Sequence, residues 1–224
     1  MSVKTIDPNS LSCKVVLLGE TTVGKTSIIS RFVDDSFDPN CITSLGASFI
    51  SKEIYIAEFK KKIKFDIWDT AGQEKYRTLA RIFYKDAVII IFVYDITKKK
   101  TFEELKNYWY GQIKDYGIQN PILAIAANKS DLYDKEQVDE NEAKAYADKI
   151  GAIFKSTSAL SNTGIDTLFN HLGRKLLDPK FDYQAEDRRL AEEYKKEQET
   201  INGGGKVKLE DAKNKSNHKK DCNC

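Results

Sequence analysis

At 224 residues the chain is long enough for one well-buried domain and leaves little room for two. Hydrophobic residues at 41% and charged residues at 31% describe a globular protein with a charge-rich surface. A net charge of +2 is too small to indicate nucleic acid by itself, whereas the end from Gly203 to Cys224 holds six lysines against three acidic residues and points toward an anionic surface.

Residues 1–12 are polar, with one lysine and no apolar core of the kind a secretory signal needs, and residues 1–10 read as a flexible N-terminus. The first apolar run, Val15–Leu18, suits a strand buried on both faces. It leads into Gly19-Glu20-Thr21-Thr22-Val23-Gly24-Lys25-Thr26 and then a helix over Lys25–Val33. That is P-loop spacing in a strand–loop–helix context. Successive backbone N–H groups curl around a phosphate, Gly24 allows close approach, and the helix N-terminus brings positive charge inward. Lys25 reaches the outer phosphates and Thr26 offers a hydroxyl to Mg2+.

Ile54–Phe59 and Ile63–Ile67 flank a turn at Lys60–Lys62 and are expected to pair antiparallel. The strand Lys64–Trp68 then ends in Asp69-Thr70-Ala71-Gly72-Gln73-Glu74. An aspartate there can hold Mg2+ through water, the Gly72 amide can grip a γ-phosphate, and Gln73 can orient an attacking water because its amide both donates and accepts. Val88–Tyr94 is a further buried strand, and the apolar run containing it is far short of the about 20 residues that span a bilayer. A helix is expected over about Thr101–Tyr116, where Tyr108, Trp109 and Tyr110 serve packing rather than nucleic-acid stacking.

Strand Ile122–Ala127 is followed by Asn128-Lys129-Ser130-Asp131. A P-loop does not choose between ATP and GTP, and this tetrapeptide does. The Asp131 carboxylate can accept from guanine N1–H and the exocyclic amine, which adenine does not present together. Asn128 can bond N7 and brace the loop, and the Lys129 stem can lie along the base. Asp139 and Glu142 form a capping box before a helix over about Glu140–Ile150. A strand at Ala152–Lys155 and a helix at Ile165–Leu177 close the domain near Pro179. Asp182–Thr200 reads as a solvated helical extension, with Glu192 and Lys196 as an i,i+4 pair, and the stretch from Gly203 onward as flexible. His171 and His218 are structural or solvent-facing, not catalytic. Of the four cysteines, Cys13 and Cys41 are expected to be reduced, which points to the cytosol.

Taken together, GETTVGKT, TSLGASF, WDTAGQE, NKSD and STSAL resemble the Rab family of small GTPases, within the Ras superfamily, over about residues 11–177 and the C-terminus. The Gly46-Ala47-Ser48-Phe49 run is most similar to the endosomal branch. The resemblance implies an α/β P-loop NTPase fold: a six-stranded, mainly parallel sheet with one antiparallel edge strand and about five helices. It implies a GTPase domain over 11–179 and a charged hypervariable tail over 180–224. It also implies that Thr21, Thr22, Val23, Gly24, Lys25, Thr26 and Ser27 wrap the phosphates and that Phe37 packs on the guanine edge. Ser158, Ala159 and Leu160 form the last base-contacting turn, with Leu160 where a lysine is usual.

The Mg2+ set would be Thr26, Asp69 and Ser44. Ser44 stands where the family has threonine; a one-residue register shift would use Thr43 instead. Switches over about 37–49 and 71–81 would be ordered by γ-phosphate and Mg2+. With no arginine placed in cis, intrinsic hydrolysis would be slow and quickened by an activating protein. Thr21 and Ser44 leave open a nucleotide-locked scaffold, which a hydrolysis assay distinguishes, and a P-loop ATPase or kinase is distinguished by guanine-versus-adenine binding. Cys222 and Cys224 resemble the doubly geranylgeranylated Rab end, which two chains anchor stably. The implied partners are an exchange factor, an activating protein, a GDP-dissociation inhibitor, an escort protein and effectors, acting on a monomer in the cytosol and on the cytoplasmic face of an endosomal membrane.

Overall fold

The computed structural model describes residues 3–7, 9–39, 48–70, 85–115 and 120–216, and the chain divides into two compact units, Met1–Lys180 and Phe181–Cys224. The first unit alternates strands and helices in the expected order. β1 spans Lys4–Asp7, β2 Ser10–Leu18, α1 Lys25–Asp34, β3 Ser48–Ile56, β4 Lys61–Asp69 and β5 Ile89–Asp95. A helical rod follows, made of α2 (Lys99–Glu104), one π-helical turn (Leu105–Trp109) and α3 (Tyr110–Asp115). β6 (Ile122–Asn128), α4 (Glu140–Ile150), β7 (Ile153–Thr157) and α5 (Ile165–Leu177) complete the unit.

The sheet order is β3-β4-β2-β5-β6-β7, parallel except for β3, which pairs antiparallel with β4 and forms the reversed edge. β1 is a seventh strand, antiparallel to β2 through Lys4↔Ser12 and Thr5↔Leu11. This corrects the expectation of a flexible N-terminus. β5 pairs with β2 only from Val15 onward, so the edge of β2 over Ser10–Ser12 carries open backbone groups that β1 satisfies.

β5 is buried along its whole length, as a central strand covered on both faces must be. On one face, Phe169 of α5 stacks on Phe32 of α1 with centroids 3.6 Å apart and meets Phe65 of β4 edge-on at 5.5 Å. Elsewhere in the core, Phe102 packs on Tyr94 and Tyr146, and Trp109 is buried, so the aromatic cluster in the rod serves packing. His171 and Cys13 are buried. Asp139 caps α4 by accepting from the Glu142 amide at 2.9 Å, but the reciprocal half of the expected box is not made, because the Glu142 carboxylate pairs with Lys106 at 3.0 Å.

The second unit carries α6, Tyr183–Ser216. Asp182 opens it by accepting from the amides of Gln184 and Ala185, and Arg189 bridges Glu186 and Glu193 at 2.7 and 2.6 Å. The helix continues past Thr200 and through Gly203–Gly205, where the sequence suggested a flexible stretch. The three glycines each cost about 1 kcal/mol relative to alanine, and the residues that follow, among them Lys208, Leu209 and Ala212, are good helix formers that add no comparable penalty. No helix among the described residues is long and apolar enough to cross a membrane.

Candidate nucleotide site

Parallel strands deliver their carboxyl ends to one side of a sheet, and ligands of open α/β folds bind there. In this chain that side receives Gly19 after β2, Asp69 at the end of β4, Asp95 at the end of β5, Asn128 at the end of β6 and Thr157 at the end of β7. Register fixes three of them side by side, since Asp95 lies opposite Asn128 and Asn128 opposite Thr157.

The loop Gly19–Gly24 turns the chain from β2 into α1. Gly24 has φ 96°, and a side chain there would collide with the Asn128 amide nitrogen. Glycine is therefore required twice over, by backbone conformation and by space. The Lys25 side chain, 5% exposed, folds back under the loop and donates to the carbonyls of Gly19 (3.0 Å) and Glu20 (2.9 Å). Burial pushes its ammonium down to about 8, against the opposing pull of Asp69 and Glu20. The Thr26 hydroxyl donates to the Asp69 carboxylate at 2.6 Å, and the Thr70 hydroxyl donates to the Leu17 carbonyl at 2.6 Å, pinning the exit of β4 to β2.

At the other end, the buried Asn128 donates to the Val23 carbonyl (2.8 Å) and accepts from the Thr157 hydroxyl (3.2 Å). The loop Gly19–Gly24 is thus braced from β6, and β6 in turn from β7. Lys129, with φ 66°, sends its ammonium to Asp95 at 2.7 Å. Burial alone would raise the Asp95 carboxyl, but hydrogen bonds from Lys129 and Thr97 and the Lys129 charge outweigh it and hold it low. Asp131 accepts from the Ser158 hydroxyl at 2.5 Å, the Ser161 amide donates to that same hydroxyl at 3.0 Å, and Arg31 of α1 donates to the Ala159 carbonyl at 2.9 Å.

Between these ends lies a cavity of about 440 Å³, a size that suits a small organic ligand. Thr21, Thr22, Gly24, Lys25, Thr26, Ser27, Phe37, Asn128, Lys129, Asp131, Ala159 and Leu160 line it, all of them singled out by the motifs. Val23, Ser158 and Asp69 stand behind the walls: Val23 offers its carbonyl to Asn128, Ser158 holds Asp131, and Asp69 meets Thr26. Asp38, Pro39, Thr70 and Leu132 also line it, and adjacency to Phe37, Asp69 and Asp131 was the signal for them. Sequence reasoning missed Asp95 as the anchor of Lys129, and it missed Trp109, whose indole N–H donates to the Glu20 carboxylate at 3.3 Å. Ser44, Gly72, Gln73, Cys222 and Cys224 lie outside the described residues.

A glycine-gated loop, a lysine beneath it and a carboxylate-bearing far wall define a P-loop nucleotide-binding protein of the α/β class. The sequence model of the Ras family matches residues 14–178. The chain is 49% identical over 164 residues to the Ras-related protein Rab-22A of Homo sapiens, covering 73% of this chain and 82% of that protein. It is 45% identical over 168 residues to Rab-31 of Homo sapiens (74% and 85% covered) and 41% identical over 174 residues to RabJ of Dictyostelium discoideum (77% and 67% covered). The chain belongs to the Ras family, in its Rab branch. It is a small GTPase of vesicle trafficking that binds GTP and GDP and hydrolyses the former to the latter.

Proposed function

We propose that the cavity holds guanine at the Asp131 end and the polyphosphate at the Lys25 end. Thr21–Ser27 wrap the phosphates, Phe37 covers the base edge, Asn128 and Asp131 read the base, Lys129 lies along it, and Ser158–Leu160 close the wall. One observation carries this reading. Asp131, the group that tells guanine from adenine, is fixed on the cavity wall by the 2.5 Å bond from Ser158.

The donor set fits Mg2+, because the Thr26 hydroxyl and the Asp69 carboxylate bring two hard oxygen ligands within 2.6 Å of each other beside Lys25. Ser44 would join them in the GTP state. Mg2+, when bound, neutralises charge on the β- and γ-phosphates. The protein's own groups do the rest. Gln73 orients water for attack on the γ-phosphorus, the Gly72 amide holds the γ-oxygens, and Lys25 balances charge on the departing GDP as the bridging P–O bond breaks. No arginine of this chain is assigned to that charge, so turnover is slow until an activating protein contributes a finger residue.

Cys222 and Cys224 carry the geranylgeranyl groups, and the lysines before them add attraction to anionic lipid. Similarity to Rab-22A and Rab-31 supports an endosomal membrane as the place of action. The monomer exchanges between that membrane and the cytosol with a GDP-dissociation inhibitor and an escort protein, and an exchange factor reloads it. Phe49, 56% exposed and packed on Trp68, gives effectors an apolar foothold on β3.

Asp131→Asn tests the base assignment. The substitution replaces two acceptors with an amide that donates where guanine also donates, whereas xanthine presents a carbonyl there. GDP affinity is expected to fall at least about 100-fold, from two charge-assisted hydrogen bonds at roughly 1.5–3 kcal/mol each, while xanthosine diphosphate gains. Equal GDP affinity in both proteins would sink the assignment.

A further inference from the structure

The two lysines of the nucleotide motifs are already engaged inside the protein. Lys25 is held by the carbonyls of Gly19 and Glu20, and Lys129 by Asp95. A third lysine stands at the same rim. Lys98, the exposed residue just before α2, extends its ammonium to the hydroxyl of Thr22 at 3.4 Å, and Thr22 lines the cavity. Among the described residues no carboxylate lies within ion-pair distance of this ammonium.

Its backbone is fixed from both sides. The Lys98 amide donates to the Asp95 carbonyl at 2.9 Å, and its carbonyl accepts from the amide and the hydroxyl of Thr101 at 2.9 and 2.7 Å. The root of the side chain is therefore set by the end of β5, the strand that also positions Lys129 through Asp95. A neutral hydroxyl is a weak partner for an ammonium, and an anionic oxygen beside it is a stronger one.

We infer that Lys98 is a nucleotide-retention residue, whose ammonium passes from Thr22 to the polyphosphate when nucleotide is bound and slows its release. The inference rests on the proposed placement of the phosphates along Thr21–Ser27. Lys98 touches no reacting bond; it adds one cation to a pocket whose other two are braced elsewhere. A unit charge acting across about 7 Å of partly screened medium changes binding by roughly 3- to 30-fold. Because Lys98 is exposed, salt weakens its effect more than that of the buried Lys25.

The test is release of a fluorescent GDP derivative from the full-length protein, chased with excess GDP, for the unaltered chain and for K98Q, K98R and K100Q. Lys100 is an exposed lysine two residues on and serves as a charge-matched control. K98Q is expected to release nucleotide about 3- to 10-fold faster at low salt, with the gap closing near about 0.5 M salt. K98R and K100Q should stay close to the unaltered protein. Equal rates for K98Q and the unaltered chain, equal effects of K98Q and K100Q, or a gap that persists at high salt would each overturn the inference while leaving the site intact. Failure of the unaltered chain to retain GDP at all would overturn the site reading and this inference with it.

Discussion

Replacing Thr157 by valine removes one hydroxyl and almost nothing else. Thr157 is fully buried, does not line the cavity, and donates to Asn128, which in turn donates to Val23 in the phosphate loop. The bond lost is a neutral one of 3.2 Å, with a net contribution of about 0.5–1.5 kcal/mol. The valine methyl also leaves the Asn128 carbonyl oxygen facing an apolar group, and an unsatisfied buried acceptor costs about 1–3 kcal/mol. These two figures overlap, so the whole loss is expected at about 1–3 kcal/mol, or some 2–12 °C in Tm at this chain length. Urea unfolding of the GDP-loaded protein at fixed nucleotide concentration measures it, because bound ligand adds to apparent stability. On the proposed placement of guanine, GDP release should quicken about 5- to 10-fold, since an asparagine with one tether would hold both base and loop less firmly. Full loss of stability with unchanged release would refute the claim that Thr157 acts on the site through Asn128.

Other predictions follow from the core and the rim. Phe169→Ala removes the ring stacked on Phe32 and edge-on to Phe65, and a loss of about 3–5 kcal/mol is expected by denaturant titration, with GDP release at low temperature nearly unchanged. Gly24→Ala forces φ 96° on an L-residue and drives a methyl into the Asn128 amide, so GDP retention should be lost even where circular dichroism shows a folded chain. The Asp95 carboxyl is held below its ordinary 3.8, so the stability it contributes is complete above that value and is lost as the pH falls through the lower folded value. Acid unfolding of D95N is accordingly expected to be less steep below pH 3.8 than that of the unaltered chain, although D95N is the less stable protein at neutral pH.

The parts legible in the sequence share one property: each is local. GETTVGKT and NKSD carry their chemistry within eight and four consecutive residues, and the helix Glu140–Ile150 announces itself by its Asp139 cap. The unseen parts join residues far apart. Asp95 to Lys129, Trp109 to Glu20 and Lys98 to Thr22 depend on strand register and on the path of the rod, which no motif encodes. β1 was hidden for a different reason. Lys-Thr-Ile-Asp has no alternating pattern to announce a strand, and its pairing is made through backbone groups that open only because β5 starts late. Sheet edges also moved: the expected Ile54–Phe59 strand is Ser48–Ile56, since Ala57–Phe59 coils into a 3₁₀ turn ahead of Lys60 in the left-handed region.

The site is assembled from segments spread along most of the first unit, and this has a consequence for how the protein is made. The cavity wall begins at Thr21 and ends at Leu160, and Asn128 is braced by Thr157 of the last strand. A growing chain therefore exposes its phosphate loop early and cannot close a pocket around nucleotide until β7 has been added. At about 5–20 residues per second, the last wall follows the first by roughly 7–28 s. During that interval the loop has no far wall to retain a ligand. A chain that stops before β7 lacks Thr157, Ala159 and Leu160, and with them the brace on Asn128 and the last wall of the cavity.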